Sequence, residues 1–243
     1  MDIFNRVELL LGEEAMERIA AARVIIFGVG GVGSWTAEAL VRSGVRHLTI
    51  VDADVVAETN VNRQLMATTV NIGKSKVEEL RRRLLEINPE ATVEARHEMY
   101  DAERAEQFDL NGYDYVVDAI DSLSSKAALI NQATRAKTRL VSSMGAALKL
   151  DPARIQTAEF WKVTGCPLAA ALRRRFKKSG VIPRRKFQCV FSPELLANKG
   201  KASEGDSAMS YTKVATNGAL CHVTAIFGMT LAGLIIKELA TKN

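Results

Sequence analysis

The stretch Arg23-Val24-Ile25-Ile26-Phe27-Gly28-Val29-Gly30-Gly31-Val32-Gly33 decides the fold of this chain. Its first five residues form an apolar run that predicts a buried β-strand, and the residues after the glycines predict a helix. Phosphates can approach the bare backbone N–H groups of a helix N-terminus where no Cβ stands in the way, and glycine provides this access. The stretch therefore predicts a nucleotide-binding turn. Gly28, Gly30 and Gly33 also satisfy the G-x-G-x-x-G pattern of NAD-binding folds, so the choice of nucleotide depends on other residues.

Strands and helices alternate through the first part of the chain. Short apolar runs predict the strands, and apolar residues at helical spacing predict the helices between them. The further predicted strands are His47–Asp52, Thr92–Arg96, Tyr113–Ile120 and Arg139–Ser143. The predicted helices outside the glycine stretch are Glu13–Ala22, Val77–Ile87, Ala102–Phe108 and Lys126–Lys137. This alternation predicts a Rossmann-like, doubly wound α/β fold with a mainly parallel sheet and a ligand at the carboxyl ends of its strands.

The pattern changes beyond Asp151. Two more strands are predicted over Arg154–Phe160 and Phe187–Ser192, followed by a glycine-, lysine- and serine-rich loop over 198–206. The apolar run 219–236 is long enough to span a bilayer, but polar residues and glycines interrupt it, so we expect a buried C-terminal helix rather than a membrane span. We interpret residues 1–243 as a single domain, with a nucleotide-binding core over 1–150 and a C-terminal extension over 151–243.

Composition narrows the class of protein. At 243 residues and 47% hydrophobic, the chain can bury a sizeable core. Its cysteines, Cys166, Cys189 and Cys221, are scattered and form no C-x-x-C pair, so neither a disulfide framework nor a structural zinc is expected. The first residues lack the pattern of a signal peptide. These features predict a cytoplasmic protein.

Positive charge is concentrated in one segment. Eight cations and no acid lie between residues 173 and 186, whereas the whole chain has a net charge of only +5. They are Arg173, Arg174, Arg175, Lys177, Lys178, Arg184, Arg185 and Lys186. A local excess of this kind favours a polyanion-binding loop, and a merely solvated loop is the alternative.

A second set of motifs discriminates between nucleotides. It comprises Asp52 to Gln64, then Gly73-Lys74-Ser75-Lys76, and Asp118-Ala119-Ile120-Asp121 after the fourth strand. With the glycine turn, these motifs resemble the adenylation domain shared by ubiquitin-activating enzymes and the bacterial activators of molybdopterin and thiamin sulfur carriers, the ThiF/ubiquitin-activator-type domain. The resemblance implies that ATP, not NAD, is bound.

The resemblance also implies roles for individual residues. Those implied to bind ATP are Arg6, Gly28, Gly30, Gly31, Gly33, Asp52, Asp54, Asn60, Arg63, Gln64, Lys76 and Asp121. Arg6 matches an N-terminal arginine that reaches the ATP of a partner subunit, which implies a homodimer. Arg63, Lys76 and Asp121 are implied to be catalytic. Arg63 and Lys76 offer cations to the phosphates, and Asp121 matches the acid associated with Mg²⁺.

A closer resemblance covers nearly the whole chain. Gly30-Gly31-Val32-Gly33-Ser34-Trp35, Asn60-Val61-Asn62-Arg63-Gln64 and Cys189-Val190-Phe191-Ser192 are similar to the tRNA threonylcarbamoyladenosine dehydratase branch. That branch uses ATP to close the side chain of N6-threonylcarbamoyladenosine at tRNA position 37 into a ring. The resemblance implies a tRNA substrate, held through its phosphates by the 173–186 cations. Ser122 departs from the wider family, in which asparagine commonly follows the acid.

Two other functions remain open from the sequence. One is activation of a ubiquitin-like or sulfur-carrier protein, and the other is NAD-dependent chemistry. The chain lacks the paired C-x-x-C zinc motifs of many carrier activators and the thioester domain of ubiquitin activators. Cys166 precedes a predicted helix and is the best candidate nucleophile, with a small residue at a helix start as the alternative. The resemblance to sulfur-carrier activators also implies a sulfur-relay partner, a cysteine desulfurase or a sulfur acceptor.

Overall fold

A computed structural model describes residues 3–200 and 217–241. Its strands, in chain order, are β1 Arg23–Phe27, β2 His47–Val51, β3 Thr92–Arg96, β4 Tyr115–Asp118, β5 Arg139–Ser143, β6 Gln156–Glu159 and β7 Gln188–Phe191. Its α-helices are α1 Asn5–Leu11, α2 Glu13–Ala21, α3 Gly33–Arg42, α4 Lys76–Ile87, α5 Leu123–Ala133, α6 Pro167–Ser179 and α7 Cys221–Thr241. Residues 201–206 of the predicted 198–206 loop lie outside the described residues.

The strands form one sheet of seven, in the order β3-β2-β1-β4-β5-β7-β6. All neighbours pair in parallel except β6, which runs antiparallel to β7 at the edge. The strand order reverses at β1, which has β2 on one side and β4 on the other. Ligands bind at this position in open α/β sheets. The predicted Rossmann-like, doubly wound fold with additional C-terminal strands is confirmed. Because β6 and β7 extend the same sheet, the division at residue 150 stays a prediction.

Both faces of the central strand β1 are buried. Val24 and Ile26 belong to a core cluster that also includes apolar residues of α3, α4 and α7, whereas Ile25 and Phe27 belong to a cluster with residues of α5 and α6. Successive side chains of a strand point to opposite faces, so a continuous apolar run is what a doubly covered strand requires. This explains why the four residues of β1 after the exposed Arg23 are all apolar.

The C-terminal helix α7 packs against α3 and α2. Its buried residues fall on one face and include Val223, Phe227, Leu231 and Ile235, so the predicted buried C-terminal helix is confirmed. By length and composition alone, α7 is also long and apolar enough to cross a membrane. In this structure 44% of its most apolar 18-residue stretch is buried inside the protein. Thr36 donates a hydrogen bond from its hydroxyl to the carbonyl of Gly228, which ties α3 to α7.

Gly228 permits this close helix crossing, and its replacement is expected to destabilise the fold. A Cβ on Gly228 would lie 2.5 Å from the carbonyl oxygen of Val32 and 2.7 Å from Cβ of Trp35. Gly228→Ala should therefore lower the free energy of unfolding in urea by about 1–3 kcal/mol. The matched control is Gly233→Ala on the same helix, where no described residue beyond the surrounding turn of α7 comes within 4 Å of the added Cβ and alanine should stabilise by about 0.5–1 kcal/mol. Equal effects of the two substitutions would contradict this account.

Two predictions of secondary structure were wrong. The helix expected over Ala102–Phe108 is only a short 3-10 helix at Ala105–Gln107. The Gln132 side chain donates to the carbonyls of Ala105 and Phe108, and Phe108 turns inward against Phe27, so tertiary contacts override helix propensity here.

The second is the basic loop predicted over 173–186, which is wrong for residues 173–179 only, since residues 180–186 do lie in a loop. Residues 173–179 continue α6, because Leu172 and Phe176 lie four residues apart and bury one face of the helix. The helix ends at Gly180, whose φ of +70° is the left-handed conformation common after a helix C-terminus.

Candidate active site

The glycine turn joins β1 to α3 at the carboxyl edge of the sheet. Gly28 has φ of +84°, and a Cβ there would lie 2.8 Å from the carbonyl oxygen of Ala119. A Cβ on Gly33 would lie 1.8 Å from the carbonyl oxygen of Gly28. Gly30 differs, because its nearest neighbour would be the Gln64 side chain at 3.6 Å. Close packing therefore requires glycine at positions 28 and 33, whereas the glycine at position 30 leaves the backbone of the turn accessible to a ligand.

Asp52 connects the end of β2 to this turn. Its carboxylate accepts hydrogen bonds from the backbone N–H of Val29 at 2.8 Å and from that of Asp54 at 2.9 Å. Burial raises the pKa of Asp52, and the ammonium group of Lys76 is the largest influence that opposes this rise. The carboxylate is thus fixed beside the glycine turn, where an acid can accept ribose hydroxyls.

Lys76 begins α4 and points back toward the end of β2. Its Nζ lies 2.8 Å from Oδ2 of Asp54, and its side chain is only 6% exposed, against 70% for that of Asp54. The backbone N–H of Lys76 also donates to the carbonyl of Asp54. The structure therefore brings Asp52, Asp54 and Lys76 together, although they come from two elements.

The loop from β2 to α4 is tied to the start of α3. The indole N–H of Trp35 donates to the carbonyl of Arg63 at 3.2 Å, and the backbone N–H of Leu65 donates to the Ser34 hydroxyl. Asn60 is buried, and its side-chain oxygen accepts a hydrogen bond from the backbone N–H of Ala57. The first two contacts hold Arg63 and Gln64 beside the start of α3, whereas the contact of Asn60 is within its own loop.

Arg63 and Gln64 present polar groups at this place. The Arg63 guanidinium donates to the carbonyl of Thr59 and to the side-chain oxygen of Asn62. Gln64 is buried, and its Oε1 has no hydrogen-bond partner among the described residues. A buried acceptor without a donor is costly unless a ligand supplies one. Gln64, beside Gly30, is therefore a candidate contact to a bound ligand.

Asp121 follows β4, at the same edge of the sheet. Its carboxylate is exposed and makes no hydrogen bond or ion pair with the described part of the chain. The described residues hold no cluster of three or more histidine, cysteine, aspartate or glutamate side chains that could bind a metal ion. One free carboxylate suits Mg²⁺, which keeps several waters and takes further oxygens from phosphates.

A buried ion pair supports the segment that carries Asp121, and the sequence analysis missed it. Lys126 on α5 places Nζ 2.8 Å from Oδ2 of Asp118, and both side chains are fully buried. The same Nζ donates to the carbonyl of Ile120, and the Ser142 hydroxyl donates to Asp118 at 2.6 Å. Burial raises the pKa of Asp118, opposed first by the Lys126 ammonium. A lysine four residues into an otherwise apolar helix face was the available signal.

The basic residues divide into two groups. Arg173 donates to the carbonyls of Phe160 and Val163, and Arg185 donates to carbonyls of the segment between α5 and β5, including those of Thr134 and Thr138. Both guanidinium groups are therefore used within the fold. The exposed cations whose side chains make no such contact with the described residues are Arg174, Arg175, Lys177, Lys178, Arg184 and Lys186.

Two other candidates lie away from the glycine turn. Phe4, two residues before Arg6, packs near Gly44, which follows α3 at the end opposite the turn, so the chain does not bring its own Arg6 to the site. Cys166 precedes α6 and is 4% exposed, so its thiol is closed off from a large substrate.

Comparison with known proteins identifies the family to which this chain is similar. The ThiF family matches residues 4–243. The tRNA threonylcarbamoyladenosine dehydratase of Escherichia coli (strain K12) is 39% identical over 98% of this chain and 94% of that protein. That of Bacillus subtilis (strain 168) is 37% identical over 97% of this chain and 94% of that protein. The crystal structure of the E. coli dehydratase TcdA in complex with ATP has a TM-score of 0.85 and 37% identity, covering 97% of this chain and 93% of that chain.

The agreement extends from the glycine turn through α7, well beyond the nucleotide-binding motifs. With a family match over nearly all residues and relatives above 30% identity along their length, the chain belongs to the ThiF family.

Proposed function

We propose that the protein is an ATP-dependent tRNA threonylcarbamoyladenosine dehydratase, which adenylates the carboxylate of N6-threonylcarbamoyladenosine at tRNA position 37 and cyclises it. The observation that carries the proposal is the placement of Lys76, Asp54 and Asp52 beside an accessible glycine turn at the carboxyl edge of the sheet. The likeness to dehydratases over the full chain supports the substrate.

The chemistry follows from charges at this edge. A carboxylate oxygen of the substrate bonds to the α-phosphorus of ATP, and the bond to the β-phosphate breaks to release pyrophosphate. A carbamoyl nitrogen of the same side chain then attacks the activated carbonyl carbon, loses its proton and displaces AMP. Because a carboxylate is ionised near neutral pH, the first step needs no general base. Ring closure is intramolecular, so its high effective molarity removes the need for an enzyme nucleophile.

In this scheme the protein holds the phosphates and the ribose. Lys76 supplies a point charge and Arg63 a planar donor pair for the β- and γ-phosphates, on which charge builds as pyrophosphate leaves. Asp52 accepts the ribose hydroxyls, and Gln64 offers its unpaired oxygen to the ligand. Asp121 would hold Mg²⁺, which when bound neutralises phosphate charge.

The tRNA-binding surface is proposed to be the exposed side of α6 and the segment after it. Six exposed cations support it, namely Arg174, Arg175, Lys177, Lys178, Arg184 and Lys186. Arg173 and Arg185 are left out of this surface, because their guanidinium groups already bond backbone carbonyls.

Neutralising part of this surface should weaken RNA binding without affecting ATP. The variant Arg174→Ala/Lys177→Ala/Lys178→Ala is expected to raise KM for modified tRNA by about tenfold or more and to make binding less salt-dependent, because fewer counterions are released. ATP affinity, measured by calorimetry, should stay within about twofold. The control is Arg46→Ala/Arg82→Ala, which removes two exposed arginines elsewhere. An unchanged KM in the triple variant would count against the surface.

One assay separates the candidate functions. Purified protein is given ATP, magnesium and tRNA carrying threonylcarbamoyladenosine, and we expect AMP together with the mass loss of one water on the nucleoside. A carrier-protein activator would instead form AMP with a small Gly-Gly-tailed protein and ignore RNA. An NAD-dependent enzyme would bind nicotinamide cofactor and would consume no ATP.

We propose a homodimer in which Arg6 of one subunit reaches the ATP of the other. Supporting it, α1 exposes Leu9 and Leu10, at 79% and 81%, and α7 exposes Met229. Exposed apolar residues of this size commonly mark a contact between subunits. A sulfur-relay partner, the absence of zinc, the absence of membrane contact and a cytoplasmic location stay predictions.

A further inference from the structure

A cavity of about 480 Å³ lies between α5 and α6, apart from the glycine turn. This volume is within the range of sites for small organic ligands. Ser125, Ala128 and Asn131 line one wall from α5, Arg175 and Phe176 line another from α6, and Glu103 closes it from the loop after β3. None of these residues has a part in the ATP site described above.

Asn131 contains a buried acceptor without a donor. Its Oδ1 is inaccessible to solvent and has no hydrogen-bond partner among the described residues. The terminal torsion of an asparagine is soft, so the amide can turn its polar edge into the cavity when a ligand supplies partners. A side-chain amide can both donate to and accept from the edge of a nucleobase.

The charged residues around the cavity are of opposite sign. Arg175 is exposed and makes no hydrogen bond or ion pair with the described residues, and Glu103 is an exposed carboxylate facing the same space. A guanidinium binds a phosphate, and a carboxylate accepts from the exocyclic amino group of a base. The alanines and Phe176 add apolar surface between them. Together these groups match one nucleotide.

The position of the cavity links the two proposed functional surfaces. Ser124 and Ser125 lie in the first turn of α5, three and four residues after Asp121. At the other end, Arg175 belongs to the row of α6 cations with Lys177 and Lys178. An RNA strand bound along α6 would therefore pass the cavity before it reaches the acid beside the reacting group.

We propose that this cavity binds a nucleotide of the tRNA anticodon loop adjacent to the one that is cyclised, an inference that rests on the proposed function. The base enters between α5 and α6, Asn131 and Glu103 bind its polar edge, and Arg175 binds the phosphate. The cavity thereby positions the modified adenosine at the ATP site and makes the enzyme depend on the flanking sequence.

The test is a binding cycle with modified anticodon stem-loops. The nucleotide in the cavity is the neighbour at position 36 or the one at position 38. Removing the base of that nucleotide should weaken binding of the stem-loop to the wild-type protein about tenfold. Ala128→Trp, which fills the cavity, should weaken binding of the intact stem-loop by a similar factor and show no further loss with the abasic one. Glu86→Trp, on exposed α4 at the other face of the sheet, is the control.

A second variant distinguishes a loss of RNA binding from a loss of folding. Asn131→Leu removes the unpaired acceptor, so its stability should stay unchanged or rise while its RNA affinity falls. The inference is overturned if neither abasic site weakens wild-type binding, or if the abasic loss is the same in Ala128→Trp as in wild type. If the wild-type protein forms no AMP with the intact modified stem-loop, the proposed function itself fails, which is a separate result.

Discussion

Lys76→Ala is expected to lower kcat/KM for ATP-dependent dehydration by about 100- to 1,000-fold, the usual cost of removing one group that stabilises charge in a transition state. In the structure the Lys76 side chain is almost fully buried, and among the described residues its ion-pair partner is Asp54, whose exposed carboxylate lies 2.8 Å from Nζ. The cation is thus held at the edge of the glycine turn and its partner can exchange with water. Its charge is available to a phosphate.

The matched control is Lys74→Ala, two residues earlier. Lys74 is 60% exposed and lies 4.0 Å from Glu79, so its removal should leave kcat/KM within about twofold. Lys74→Ala should unfold in urea at nearly the wild-type midpoint, because Glu79 keeps its hydrogen bonds from Asn71 and Arg82. Lys76→Ala removes the ammonium group that opposes the burial of Asp52, so its midpoint is expected to fall, and kcat/KM is compared under conditions in which the urea curves show both variants folded. If Lys76→Ala and Lys74→Ala were equally active, the phosphate-binding role of Lys76 would be excluded.

The glycine turn could be predicted because its determinants are local. The strand, the turn and the helix of residues 23–41 are contiguous, and each conforms to its own periodicity. The apolar run of β2 predicts a strand in the same way, so the sequence alone places Asp52, which follows it, at the carboxyl edge of the sheet. Order along the chain and order in the sheet coincide here.

Contacts between distant residues could not be predicted in the same way. Arg173 and Arg185 look like their neighbours in the sequence, and only the fold shows that the guanidinium of Arg173 bonds carbonyls of the segment before α6 and that of Arg185 bonds carbonyls just after α5. The cavity beside Asn131 is likewise lined by residues of α5, α6 and the loop after β3, which are distant from one another in the sequence. A charge pattern predicts a surface, but it does not distinguish cations that bind a ligand from those that close a fold.

The pair formed by Lys126 and Asp118 leads to the largest expected effect on stability. Lys126→Met leaves a buried carboxylate without its ammonium partner and should lower the free energy of unfolding in urea by about 3–5 kcal/mol. The exposed Lys137→Met, just beyond α5, is the control and should change it by less than about 0.5 kcal/mol. Adding Asp118→Asn to Lys126→Met should recover part of the loss, because the amide carries no charge and still accepts from the N–H of Ile120.

The loss of stability in Lys126→Met is expected to depend on pH in a defined direction. Burial already raises the pKa of Asp118, and Lys126→Met removes the largest influence that opposes the rise. A carboxyl whose pKa is higher in the folded than in the unfolded state binds more protons when folded, so stability falls as pH increases between the two pKa values. The deficit of Lys126→Met relative to wild type should therefore be largest at neutral pH and shrink as the pH is lowered toward the ordinary carboxyl range. A deficit that does not vary with pH, or a double variant less stable than Lys126→Met alone, would mean that Asp118 is not charged in the fold.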